Sequence, residues 1–389
     1  MDNPCIQSFL DTDLYKLTMG QVIFNQFPNA VAKYRLTVRD KNHNFRPGFT
    51  SELADQIRHL SNLSLTRAER EWLAAHAPWL KASYLDFLAG YRFDHDGVNI
   101  CDFNGDVSVE FYGPWYREVL KEVMFMAIIS ELNFRGRKPA EGWERTIEEK
   151  AVEMKREPVS WIDFGTRRRF SFAVQDAVCR IMREYSSPFR GTSNPHLAMK
   201  YRIPVHGTYA HELVMGMQGL HGIRGCNRAA MDAWVREYRG NLGIALTDTV
   251  TTPAFLQDFD AFYAKLFDGV RIDSGDPFSV GDMVIRHYEK LGIDPRSKVL
   301  VFSDSLDPKK AIKLQKYFGH QTKITCGIGT NLSNDVGHKP LNMVIKLVAI
   351  DFGSGWVDLL KMSDDPGKFL GPPSARDEAN RVFGLGARG

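Results

Sequence analysis

Between Ile162 and Thr330 short apolar runs repeatedly end in clusters of Asp, Ser, Thr, Gly, Arg or His: WIDFGTRR, IPVHGTYAH, LGIALTDT, GVRIDSGDP, VLVFSDS and ITCGIGT. The later runs are followed by helical patterns and begin near Leu242, Gly269, Lys298 and Lys323. That spacing of roughly 25 to 30 residues suits βαβ crossover units. Asp307 before Pro308 predicts a helix start, because the carboxylate caps free N–H groups and proline fits the first turn; Gly319 predicts its end. Polar residues at the ends of successive parallel strands converge on one mouth of an α/β barrel, so the six runs predict one composite pocket.

The first third has another rhythm. In AKYRLTVRD, Ala32, Tyr34, Leu36 and Val38 alternate with charged or polar residues, the period of a strand with one wet face. VNICDFNGDVSVEFYG holds Asn104 and Gly105 between two alternating runs, which predicts a tight hairpin. SELADQIRHL, TRAEREWLAAHA and WYREVLKEVMFMAIISEL read as helices, and MVIKLVAID and WVDLLKMSD flank Gly353, Ser354 and Gly355 as a second hairpin. The expected fold is an irregular α/β barrel with a second, sandwich-like α+β domain. Residues 1–140 form the α+β domain, 141–340 the barrel, and 341–389 a hairpin and tail that pack back on the N-terminal domain, the last residues being poorly ordered.

The chain has 389 residues, 43% hydrophobic and 25% charged, with a formal charge of +3. This is a globular composition, and the small charge gives no reason to expect nucleic acid. Five scattered cysteines lack CxxC or Cys/His spacing, as in a reduced cytoplasmic protein. The start lacks the basic and apolar regions of a signal peptide, and the longest apolar stretch, MFMAII, is far short of a membrane span. A soluble protein without a membrane partner is expected.

Several residues could carry chemistry. Gly327, Gly329 and Thr330 follow a late strand, where glycines let N–H groups approach a phosphate; a tight turn is the plain alternative. In VRIDSGDP, Arg271 suits phosphate and the carboxylates of Asp273 and Asp276 suit ribose hydroxyls or magnesium, unless the turn simply caps the next helix. Asp248 and Asp304 occupy equivalent strand ends. Of three adjacent arginines, Arg167 is expected in the pocket, and at least one of the others tied to an acid or solvated. Phe164 is either core or a stacking platform. His206 and His211 are structural, or one of them relays protons or accepts a phosphoryl group.

FLDTDLYKLTMGQ, IDFGTRR, GTSN, HGTYAHE, ALTD, RIDSGDP, LVFSD, GIGTNL, KPLNMVIKL and DDPGK occur in an order that resembles the nicotinate phosphoribosyltransferases across nearly the whole chain. The resemblance implies transfer of a phosphoribosyl group from phosphoribosyl pyrophosphate to nicotinate, in NAD biosynthesis by nicotinate salvage. It implies coupling to ATP through a phosphohistidine, with Mg2+ accompanying the phosphates. It implies His211 as the phosphorylated residue and Asp248 as the acceptor that orients its ring. Tyr15 and Phe164 would sandwich the pyridine, with Arg167 facing the nicotinate and phosphate side. Arg271 and Asp273 would meet the phosphoribosyl group, Ser303 and Asp304 would belong to the same substrate site, and Gly327, Gly329 and Thr330 would surround the 5′-phosphate. Ser193 stands where the related nicotinamide enzyme carries an acid, which favours nicotinate. Tyr15 is expected to reach the site of a second subunit, implying a homodimer. Two rival readings are a quinolinate phosphoribosyltransferase-like enzyme without ATP coupling, against which HGTYAHE argues, and a barrel sugar-phosphate aldolase or isomerase using Lys346.

Overall fold

The structure is a computed structural model that describes residues 4–40, 43–157, 159–185, 188–365 and 368–385. In chain order its strands are β1 Val31–Val38, β2 Val98–Phe103, β3 Asp106–Pro114, β4 Trp161–Asp163, β5 Phe189–Thr192, β6 Ile244–Leu246, β7 Gly269–Ile272, β8 Val299–Phe302, β9 Lys323–Ile328, β10 Met343–Asp351 and β11 Val357–Asp358. They build two sheets. An antiparallel one runs β11-β10-β1-β3-β2, and a parallel one runs β5-β4-β9-β8-β7-β6.

In the first sheet the alternation of β1 buries Ala32, Tyr34 and Leu36, and the Tyr34 ring stacks on Phe111 with centroids 4.9 Å apart. Asn104 and Gly105 join β2 to β3 with φ of 58° and 88°, the left-handed pair that a primed turn requires. The C-terminal hairpin adds β10 along the whole of β1. Its turn is held by Asp351, whose carboxylate accepts from the N–H groups of Gly353 and Gly355.

The parallel sheet curls into an irregular barrel. Its two edge strands, β5 and β6, are linked through the segment around Val205. Val205 forms a single bridge with Thr192, Thr192 N–H donates to Pro204 O, and His206 N–H donates to Thr192 O. On the other side Leu246 N–H donates to the Tyr209 hydroxyl and Thr208 Oγ1 to Ile244 O. The apolar run IPVHG is therefore a seam rather than a barrel strand, because Pro204 has no N–H for a ladder. The strand beside it is β5, outside the six polar-ended runs. The helix Pro308–Phe318 begins behind Asp307, whose carboxylate accepts from Lys310 N–H at 2.7 Å.

Two helices tie the sheets together. Leu14–Gln26 is buried on every side from Leu14 to Ile23, the pattern of a core helix. Within it Lys16 is fully buried and paired with both Glu122 and Glu212. Glu212 also accepts from the Tyr34 hydroxyl and from Trp115 Nε1. Glu212 lies in the first turn of the long helix His211–Tyr238, so the network anchors that helix start to the first sheet. The tail differs from expectation. Its helix, Pro373–Phe383, packs on His211–Tyr238 instead of on the N-terminal sheet. Phe383 lies under the Arg224 guanidinium, and its carbonyl accepts from Gln257, which draws the helix to that side. The expectation of poor order at the chain end falls on residues 386–389, outside the described residues. No described helix is long and apolar enough to cross a membrane.

Candidate active site

The strand ends of the barrel gather around His211. Its Nδ1 lies 3.0 Å from Thr249 Oγ1 and its Nε2 lies 3.2 Å from Asp273 Oδ2. Burial, reinforced by the nearby Lys361 ammonium and opposed by Asp248 and Asp273, pulls the ring down to a pKa of about 4. At neutral pH it is an uncharged imidazole that carries one ring proton. The partner expected from sequence is corrected here. Asp248 does not hold the second nitrogen: its Oδ2 accepts from Ser274 Oγ at 2.6 Å, and its Oδ1 is 3.8 Å from Nε2, beyond hydrogen-bond reach. The hydroxyl one residue further on, at Thr249, takes that place.

Asp273 joins His211 to the next two strands. Its Oδ1 accepts from Ser303 Oγ at 2.6 Å, and Arg271 Nη2 is 3.9 Å from Oδ2. Burial works against its charge, yet Arg271, His211 and Lys361 hold the carboxyl well below the usual carboxylate range. Arg271 Nε, Asp248 Oδ1 and the Tyr15 hydroxyl are buried without a hydrogen-bond partner. Unpaired polar atoms of this kind are costly in a packed interior and are a mark of ligand sites. Asp304 is paired with Lys368 at 2.7 Å. Asp276 has the plainer role weighed for it, accepting from Ser279 N–H at 2.9 Å as the cap of helix Pro277–Lys290.

At the end of β4 the Phe164 ring crosses β9. A Cβ on Gly327 would come within 2.3 Å of that ring, so the glycine makes room for it. Gly329 precedes the single turn Thr330–Ser333. The three arginines separate cleanly. Arg169 is fully buried and forks onto Asp11 at 2.6 and 2.9 Å, with Glu131 at 2.8 Å. Arg167 stays 40% exposed near Glu122, with Tyr15, Asp13 and Asp273 in its field holding it charged.

Tyr15 is buried beside Arg167 of its own chain. The chain before it is lashed to its own barrel: Leu14 N–H donates to Ser193 O, Ser193 Oγ donates to Asp13 at 2.6 Å, and Asn194 donates to Asp11. Ser193 therefore engages Asp13, a carboxyl pushed upward by burial and held back by Ser193 and Arg167, instead of offering a free hydroxyl.

Residues 159–387 match the Nicotinate phosphoribosyltransferase (NAPRTase) family and residues 10–130 match the N-terminal domain of that family. The chain belongs to the nicotinate phosphoribosyltransferase family. It is 41% identical over 389 residues to the nicotinate phosphoribosyltransferase of Chromohalobacter salexigens, covering 98% of this chain and 100% of that protein. The nicotinate phosphoribosyltransferase crystal structure from Porphyromonas gingivalis superposes with a TM-score of 0.95 at 39% identity, covering 98% of this chain and 100% of that one. The one from Vibrio cholerae gives 0.91 at 35% identity, with 99% and 95% covered.

In this member of the nicotinate phosphoribosyltransferase family, sequence reasoning missed a group of cations facing the strand ends. Arg39 follows β1, Lys346 lies on β10, and Lys361 and Lys368 come from the segment after β11. Arg168, which burial lowers to a pKa of about 10 with help from Arg167 and Arg39, is drawn toward Asp273 and Asp304. Burial, then Lys361 and Arg39, lowers Lys346 to about 7. Lys361 is held at the site because Met362 N–H donates to Thr249 O and Asp364 N–H to Ser274 Oγ, leaving its Nζ 3.7 Å from Asp248. The available signal was a charged residue just after β1, Arg39, and one within the apolar run of β10, Lys346. Lys346 entered the sequence reading only as a Schiff-base candidate.

Proposed function

We propose that the chain transfers the phosphoribosyl group of phosphoribosyl pyrophosphate to the ring nitrogen of nicotinate, releasing nicotinate mononucleotide and pyrophosphate, with ATP hydrolysis coupled through phosphorylated His211. One observation carries this reading: an uncharged imidazole touches the same carboxylate, Asp273, that meets Arg271 and Ser303 on the neighbouring strands. A phosphoryl acceptor and a sugar-phosphate pocket thus share one group.

Phosphorylation needs the Nε2 lone pair. Nε2–H donates to Asp273 and Nδ1 accepts from the Thr249 hydroxyl; as the ring attacks, the Nε2 proton passes to Asp273. An N–P bond then forms at Nε2 as the bond from the γ-phosphorus to the ADP oxygen breaks. The new dianion beside Asp273 competes for Arg271 and Lys361, which links ATP to substrate affinity. In the transfer itself, positive charge grows on the ribose while negative charge leaves on pyrophosphate. Asp273 and Asp248 face the first, and Arg271 and the cluster of Arg39, Arg168, Lys346, Lys361 and Lys368 face the second. Tyr15 and Phe164 bracket the pyridine, and Arg167 pairs with its carboxylate.

Among the described residues no three His, Cys, Asp or Glu side chains converge as a metal ligand set. The residues fit Mg2+ that arrives with the phosphates, held in part by Asp248, Asp273 or Asp304 through oxygen. When bound it neutralises phosphate charge.

The test is product formation from nicotinate and phosphoribosyl pyrophosphate with and without ATP; no nicotinate mononucleotide under either condition would remove the reading. Arg271→Ala should raise the KM for phosphoribosyl pyrophosphate about 10- to 100-fold, the worth of a hydrogen bond to a charged group. An unchanged KM would take Arg271 out of this role. Lys346, at about 7, should regain its proton when an anion binds beside it. Pyrophosphate binding at pH 8 should then take up protons, read as a buffer-dependent heat in calorimetry, and Lys346→Met should abolish the effect. Equal heats in all buffers for the wild type would place pyrophosphate elsewhere.

A further inference from the structure

We propose that the opposite, N-terminal mouth of the barrel is a second binding site, for a small organic anion with an apolar body. A cavity of about 870 Å3 opens there between the starts of the strands, within the usual size of small-molecule sites. A packed barrel fills its interior with layers of bulky side chains. Here the lining at that end includes Ser160, Pro204 and Thr325, too small to close it.

The lining is apolar at Ile162, Ile244, Val299 and Val301. Its polar part is one connected wall, in which Arg190 Nε donates to Ser160 Oγ at 3.1 Å, Ser160 Oγ lies 3.3 Å from Thr325 Oγ1, and Lys323 stands at the rim. His206, the histidine that the strand-end site leaves unused, lines the same wall with Nε2 2.9 Å from Arg190 O. Burial lowers its pKa, so it serves as a neutral polar contact. Of the cations present, Arg296 is spent on Asp294, with Nη2 2.9 Å from Oδ2. Arg190 and Lys323 have no carboxylate within ion-pair distance among the described residues, and the lining contains no Asp or Glu. An apolar lining beside two cations that have no carboxylate partner selects a negative head on an apolar body over cations and neutral polar molecules.

Naphthalene-2-sulfonate serves as the probe, with neutral naphthalen-2-ol as control, measured by titration calorimetry on the full chain. The expected result is one sulfonate bound per chain, with naphthalen-2-ol bound about tenfold or more weaker. Arg190→Ser with Lys323→Ser should weaken the sulfonate about tenfold or more, and Arg271→Ala, at the far mouth, should leave it unchanged. Equal binding of sulfonate and naphthol to the wild type would overturn the proposal. So would retained affinity in the double variant, or loss of binding in Arg271→Ala alone.

Discussion

An Asp273→Asn variant should lose about 100- to 1000-fold in kcat/KM, the scale seen when one preorganised electrostatic contact is removed from a site. The amide keeps the shape of the side chain but takes away the charge that Ser303, His211 and Arg271 share. Two effects follow from one atom change. The Nε2 proton of His211 loses its acceptor of negative charge, and Arg271 is left beside a neutral group, free to bind phosphate too tightly in the ground state. The variant should therefore lose its activity through kcat, with KM unchanged or lower. The wild type keeps Asp273 ionised well into acid, because its pKa lies below the ordinary carboxylate range. Its acid-side loss of activity should instead follow His211, whose lone pair disappears as pH falls through about 4. A kcat/KM for Asp273→Asn within threefold of the wild type would show that the carboxylate is not part of the machinery.

Lys16→Met should lower the free energy of unfolding by about 3–5 kcal/mol, measured by chemical denaturation. Methionine fills the same space, so packing is nearly kept. What changes is electrostatic: Glu122 and Glu212 remain buried, facing each other without the cation between them. Burial alone would depress the Lys16 pKa, but Glu122 and Glu212 overcome it and hold the ammonium charged above its ordinary value. The exposed pair Arg67–Glu71 offers the contrast; Arg67→Met should cost no more than about 0.5 kcal/mol. Because Glu212 follows His211 directly, loss of the buried pair should also loosen the helix start that positions the imidazole. A cost below about 1 kcal/mol for Lys16→Met would mean that the carboxylates find other partners.

The hairpin at Asn104 and Gly105 and the helix after Asp307 and Pro308 were legible because each depends on a local conformational rule. The polar-ended strands β4, β6, β7, β8 and β9 were legible as one mouth for a similar reason: apolar runs of that length, evenly spaced, leave few alternatives. β5 was harder to see, since FRGT is too short and too polar to show a period. Pro204 hid the fact that its apolar run forms only a seam. At the site, which of Arg167, Arg168 and Arg169 faces inward depends on Asp11 and Glu131, far away in the chain, and no local pattern carries that. Thr249 and Asp248 are adjacent, so the choice between them rests on a turn of the backbone and on Ser274 claiming the carboxylate. The cationic cluster comes from elements hundreds of residues apart, which only folding brings together.

The most direct measurement is to incubate the purified protein with Mg2+ and ATP labelled in the γ-phosphate, then follow acid-labile label on the chain. The account predicts label on the wild type and on His206→Ala, and none on His211→Ala. Label that persists in His211→Ala, or a wild type that takes up none, would contradict it.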